Sequence, residues 1–221
     1  KWWGDTIKYE YSLSFAHRQK FGKLDVVAGA FVLDRQSFRE KTFSKYQRGN
    51  IRLNYRWNKR LNLGIFTNVN SGKSASYFYW NDKASYLGSA TAGIMKSKKL
   101  RYNIDPFLTY LDKYGNQHKL TGRLYRMNND NSENQSTKAV LNYIEYQWHR
   151  KLSVLDAVIS AGIVNSDSKI SAELYGDTTF YAKNVAAYVQ LDKKFWSKLN
   201  LSLGIRYEYN SVTFPSEVFN D

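Results

Sequence analysis

The stretch "LNLSLGIRYEYN", Leu199 to Asn210, places Leu199, Leu201, Leu203, Ile205, Tyr207 and Tyr209 at every second position. Asn200, Ser202, Gly204, Arg206, Glu208 and Asn210 fill the gaps. Successive side chains of a strand point to opposite faces, so this segment has one greasy face and one wet face. What decides the fold is the medium that the greasy face meets, a protein core or a lipid bilayer.

The same alternation recurs along the chain. "DTIKYEYSLSF" aligns Ile7, Tyr9, Tyr11, Leu13 and Phe15, and "LDVVAGAFV" aligns Leu24, Val26, Ala28, Ala30 and Val32. "RGNIRLNYRWN" sets Ile51, Leu53, Tyr55 and Trp57 against Arg48, Asn50, Arg52, Asn54 and Arg56, and "LNLGIFTNV" follows from Leu61. Further strands are predicted at Tyr102–Leu111, Gln117–Met127, Thr137–Trp148, Leu155–Val164 and Tyr181–Lys193. That makes about ten antiparallel strands of roughly ten residues, the length a tilted membrane-crossing strand needs and longer than the usual soluble strand.

The connections alternate in kind. "HRQKFGK", "NKR", "DKYGN", "HRKLS" and "KFWSK" read as short, basic turns flanked by Phe21, Trp57, Tyr114, Trp148 and Trp196. Asp34–Lys45, Ser71–Arg101, Asn128–Ser136 and Asn165–Phe180 read as longer polar loops. Short periplasmic turns, long extracellular loops and aromatics at the rim are the pattern of an outer-membrane β-barrel. "ASYLGSATAGIM", residues 84–95, could be one more strand, but counting it would put the "NNDNSENQS" loop among the short turns. It is therefore assigned to the Ser71–Arg101 loop.

Composition agrees with an all-β reading. The 221 residues include 18 Tyr, 12 Phe and six Trp but only two Pro and no Cys, which removes disulfides and thiolate metal sites. No apolar run is long enough for a membrane helix, and "KWWGDTIKYEYS" has no signal-peptide pattern. A mean hydropathy of −0.59 does not separate soluble proteins from barrels, whose alternating strands average to hydrophilic. The net charge of +14 is spread over turns, inner-face positions and loops rather than gathered on a nucleic-acid-binding module. It suits outer-membrane lipid and lipopolysaccharide phosphates, with no nucleic acid as partner.

Several stretches resemble the barrel of TonB-dependent outer-membrane transporters of Gram-negative bacteria: "NIDPFLTYLDKYGNQHKLTGRLY" (103–125), "NQSTKAVLNYIEYQW" (134–148) and "SAELYGDTTFYAKNVAAYVQLDKKFWSKLNLSLGIRYEYN" (171–210). The resemblance implies a twenty-two-stranded barrel, an N-terminal plug and energy supplied by an inner-membrane TonB complex. About ten strands, no plug and no final aromatic-ended strand lead to the expectation of a partial barrel, residues 1–221, with the plug and remaining strands as partners. The implied activity is import of a scarce nutrient: an iron chelate, haem, a cobalamin-like cofactor or an oligosaccharide.

Candidate sites follow. Arg48, Arg52 and Arg56 share the polar face of one strand; the plain reading is a wet wall pairing with carboxylates, the functional one a guide for an anionic substrate. In "SYFYWND", Tyr77, Tyr79 and Trp80 are substrate-contact candidates, against the plain reading of a packed loop or aromatic belt. "ELYGDTTF", residues 173–180, is a second outer-loop candidate with too few carboxylates for a calcium site. His17, His118 and His149 form no pair, so neither a metal nor a resident cofactor is expected, haem ligation by one of them being the alternative. No nucleophile–base arrangement supports the rival reading of an outer-membrane barrel enzyme. The other rival is a soluble β-rich ligand-binding module.

Overall fold

The structure, a computed structural model, describes residues 7–39, 41–77, 93–196 and 199–213. They form one ten-stranded antiparallel sheet in which every strand pairs with its sequence neighbours: β1 (Glu10–Phe21), β2 (Leu24–Gln36), β3 (Phe43–Arg56), β4 (Leu61–Ser76), β5 (Met95–Leu111), β6 (Gln117–Asn131), β7 (Thr137–Leu152), β8 (Ala157–Ala172), β9 (Thr178–Phe195) and β10 (Leu199–Thr213). The ladder is open at β1 and β10, which each pair on one side among the described residues.

The period-two pattern and the register together sort the side chains. Leu13 lies opposite Val32, Leu53 opposite Val26 and Ile65, Leu108 opposite Leu63 and Leu120, Ile163 opposite Tyr146, and Ile205 opposite Val189. One face of the sheet is thus a continuous apolar band. Among the described residues no second layer covers it. On interior strands Ile144 is 50% exposed, Ile163 60% and Val189 50%, and no large side chain among the described residues is fully buried. A soluble sandwich would bury these residues against a facing sheet, so the band is an outer wall built for hydrocarbon. That removes the soluble-module reading.

Strand ends depart from the sequence-based boundaries. The strands run 12 to 18 residues, beyond the nine to eleven or so that cross a bilayer. The extra length lies mostly where long loops were expected. Asp34–Lys45 contracts to a connection at residues 37–42, Asn128–Ser136 to 132–136 and Asn165–Phe180 to 173–177, because the flanking strands keep pairing beyond the apolar band. At the opposite end "HRQKFGK" is mostly β1, the turn itself being Gly22–Lys23. Polar residues outside the membrane can continue a ladder as well as apolar ones, and polarity alone therefore mistook strand for loop. The expected Ser71–Arg101 loop shortens in the same way, since β4 continues through Ser76 and β5 begins at Met95, the two pairing from Leu61–Tyr110 through Ser76–Met95. Most of "ASYLGSATAGIM" lies outside the described residues.

Pro106 sits inside β5 on the outer face, a position where a missing N–H interrupts a ladder. Pairing of β5 with β6 lapses between Ile104–Leu124 and Phe107–Thr121. Across that gap the Arg123 guanidinium donates Nε to Asp105 Oδ1 at 2.9 Å and Nη2 to Oδ2 at 2.7 Å. A bidentate ionic pair thus fastens the strands where backbone bonds lapse.

Candidate functional site

The inner face carries the polar halves of the strands, and it divides into two sectors. The first spans β6–β10. Glu145 on β7 accepts three hydrogen bonds: from Tyr143 Oη at 2.8 Å, Gln147 Nε2 at 2.8 Å and Tyr188 Oη at 2.9 Å. Tyr188 reaches it from β9, two strands away, because Gly162 lies directly opposite on the intervening β8. A Cβ at Gly162 would stand 2.5 Å from the Tyr188 ring, so only glycine lets the ring lie across the strand. On β10, Arg206 Nε donates to Glu208 at 2.9 Å, and Asn184 donates to Glu208 and to Asn210. Asp192 accepts from Gln190 at 2.9 Å and Ser202 at 2.6 Å. His149 belongs to this wall through Ser160, 2.8 Å away.

The second sector spans β2–β5. Register places Arg48 opposite Asn70 and Asn70 opposite Arg101, with Lys99 one inward position further along β5. These residues line an open depression of about 270 Å³, together with Tyr46 and Gly72. Arg52 lies over the Phe107 ring at 5.8 Å, where the ring's electron-rich face attracts the cation. Phe107 in turn lies over Gly64, whose added Cβ would meet the ring at 2.6 Å. The side chains of Arg48, Arg56, Lys99 and Arg101 have no hydrogen-bond or ion-pair partner among the described residues. The three sequence-selected arginines do share one wall. Lys99 and Arg101 were missed because only the β4–β5 register brings them beside Arg48.

Tyr77 stands elsewhere. It is 3% exposed and packs against Arg39, whose guanidinium lies 5.4 Å from its ring and donates to its carbonyl at 3.2 Å. Tyr77 thus packs against the 37–42 connection through Arg39. Tyr79 and Trp80 lie outside the described residues. Glu173, from "ELYGDTTF", accepts from the Ser136 N–H at 2.9 Å, joining two connections; hydrogen bonding by Ser136, from its side chain first and its backbone second, holds the carboxyl below the usual range.

The turn end is trimmed with aromatics. Tyr110, His118 and Tyr146 stack across three strands with centroids 5.9 and 6.1 Å apart, and Trp57, Tyr114 and Trp196 are exposed nearby. His118 Nδ1 meets Tyr146 Oη at 2.7 Å, so this histidine is part of the rim. Asp112 organises the β5–β6 turn, accepting from the backbone N–H groups of Tyr114 and Asn116 and from the Asn116 amide. Burial pushes its carboxyl up, but those bonds outweigh it and hold the pKa at about 2. Gly115 completes the turn at a positive φ of 83°. Among the described residues no three His, Cys, Asp or Glu side chains converge to hold a metal ion.

The comparisons with known proteins agree with this geometry. No curated protein matches the sequence. Among solved structures the chain is similar to the siderophore receptor PirA from Pseudomonas aeruginosa, with 11% identity and TM-score 0.71 over 91% of this chain and 34% of that one. It is also similar to the ferric yersiniabactin uptake receptor FyuA from Yersinia pestis (12%, TM-score 0.67, 93% and 37%). A third is the alcaligin outer-membrane receptor FauA from Bordetella pertussis (9%, TM-score 0.65, 94% and 37%). The chain spans about a third of the length of these receptors. A sequence model described as "TonB dependent receptor-like, beta-barrel" matches residues 2–220. That family resides in the outer membrane and consists of transporters rather than enzymes, and this chain belongs to it.

Proposed function

We propose that the chain is part of the barrel wall of a receptor that imports an anionic nutrient, an iron chelate fitting best among iron chelates, haem, cobalamin-like cofactors and oligosaccharides. The observation that carries this reading is the β2–β5 inner wall, where Arg48, Arg56, Lys99 and Arg101 lack counter-charges. Cations facing one lumen raise the local concentration of an anion and orient it along the wall. The siderophore-receptor relatives add an iron-chelate precedent. In this reading extracellular segments capture the ligand, the cationic wall lines its route, and TonB-driven displacement of a plug opens that route.

The test is uptake of radioactive iron by cells expressing the whole receptor, offered as anionic triscatecholate, anionic citrate and neutral hydroxamate chelates. Arg48→Gln with Arg52→Gln is expected to lower uptake of a transported anionic chelate by about tenfold or more at limiting concentration, an effect that weakens with added salt. Unchanged uptake, or import of only the neutral chelate, would refute the reading. Deleting residues 78–92 tests the aromatic segment separately: normal import would remove Tyr79 and Trp80 from ligand capture.

A further inference from the structure

Beyond transport, the outer wall carries a second cationic feature, just past the apolar band on β3–β5. Lys45 lies directly opposite Lys73, and Lys73 directly opposite Lys98. Three ammonium-bearing side chains therefore occupy one cross-strand row, with neighbouring strands about 4.8 Å apart. All three are exposed. Like charges directly opposite each other in a ladder destabilise it, so a bare row of this kind has a standing electrostatic cost. Asp34 relieves only one end, taking Lys45 Nζ at 2.7 Å and the Tyr11 hydroxyl at 3.2 Å. At the far end Asp130 is the ladder partner of Lys98, yet no ion pair joins them. Lys73 has no partner among the described residues.

The row's place on the wall identifies what would neutralise it. On the same face of β5 the next outward residues are Leu100, 42% exposed, and Tyr102, 36% exposed; on β4 Val69 is 44% exposed. Lys98 stands two residues beyond Leu100, about 7 Å along the strand and less after strand tilt. Just past the apolar band of a barrel wall is where acyl chains give way to headgroups. A ligand here must be apolar below and multiply anionic above.

We propose that Lys45, Lys73 and Lys98 form a binding site for the phosphates of lipopolysaccharide packed against β3–β5. A phosphate between Lys73 and Lys98 would offset the repulsion that the protein leaves uncompensated.

The experiment uses the full receptor in detergent, scored by native mass spectrometry and titration with diphosphorylated lipid A, dephosphorylated lipid A and inorganic phosphate. Lys73→Gln with Lys98→Gln is expected to weaken diphosphorylated lipid A binding by about tenfold and to leave dephosphorylated lipid A unchanged. Lys73→Arg with Lys98→Arg should retain binding. Lys59→Gln, in the β3–β4 turn at the other end of the sheet, should match the wild type. Heat-dependent gel migration verifies that each variant is folded. Equal loss with both lipids, equal loss in the Lys59 variant, or no loss would overturn the proposal. So would displacement of lipid A by millimolar inorganic phosphate, which would make the row a free-phosphate site. Lipid binding is read without any transported substrate, so its failure would not touch the uptake reading.

Discussion

The two inner sectors share one architecture and differ in how their charges are resolved. On β6–β10 each named acid has internal donors: Glu145 has Tyr143, Gln147 and Tyr188, Asp192 has Gln190 and Ser202, and Glu208 has Arg206 and Asn184. On β2–β5 the cations outnumber the acids, and the side chains of Arg48, Arg56, Lys99 and Arg101 are unpaired among the described residues. Asp25 and Asp105, the inner-face acids nearest them, are already taken by Arg18 and Arg123. A satisfied wall is stiff and inert, because each lone pair already has its donor. An unsatisfied one awaits a partner. On the proposed reading, stability and recognition occupy different arcs of one sheet.

Several substitutions can break or sharpen that contrast. The largest effect is expected in the open sector: Arg48→Glu with Arg52→Glu should reduce uptake of an anionic chelate by more than the two glutamines do, while receptor abundance and thermal unfolding change little. If unfolding changes more than uptake, the sectors do not differ as described. In the closed sector the order should reverse. Glu145→Ala strips three donors of their acceptor and should destabilise the receptor by about 2 kcal/mol, read as a lower denaturation midpoint, with little effect on chelate affinity.

Gly64→Ala and Gly162→Ala probe the two sectors, since each glycine lies under an aromatic ring from the neighbouring strand, although a Cβ at Gly64 would also run into the Leu53 backbone carbonyl. Each should cost about 1–3 kcal/mol of stability through overpacking. Only Gly64→Ala should also alter uptake, because Phe107 supports Arg52. A smaller effect concerns acid. Asp112 in the β5–β6 turn has its pKa lowered to about 2, so its bonds contribute fully above the ordinary carboxylate value and are lost as pH falls toward 2. Wild type should lose stability between about pH 4 and 2, and Asp112→Asn should flatten that part of the profile in a pH-dependent unfolding series. The smallest effect belongs to Arg18 and Asp25. Their 2.6 Å contact is exposed, with Arg18 72% accessible, so Asp25→Asn should leave the denaturation midpoint almost unchanged, and more nearly so at high salt.

Alternation along single segments determined that the protein is all-β, that it has about ten strands, and that residues such as Leu203 and Ile205 face one medium while Arg48, Arg52 and Arg56 face the other. A two-residue period is local, so it needs no knowledge of neighbours. Where strands end was less legible, because polar residues such as those near Asn128 and Asn165 continue a ladder outside the membrane as readily as they form a loop. Tyr77 lies in the β4–β5 connection, and only the fold brings it against Arg39. What only the tertiary structure decided is which residues stand side by side. Arg48 near Arg101, Tyr188 reaching Glu145, and Lys45 beside Lys73 and Lys98 all follow from register, a relation between strands that no single strand's sequence contains.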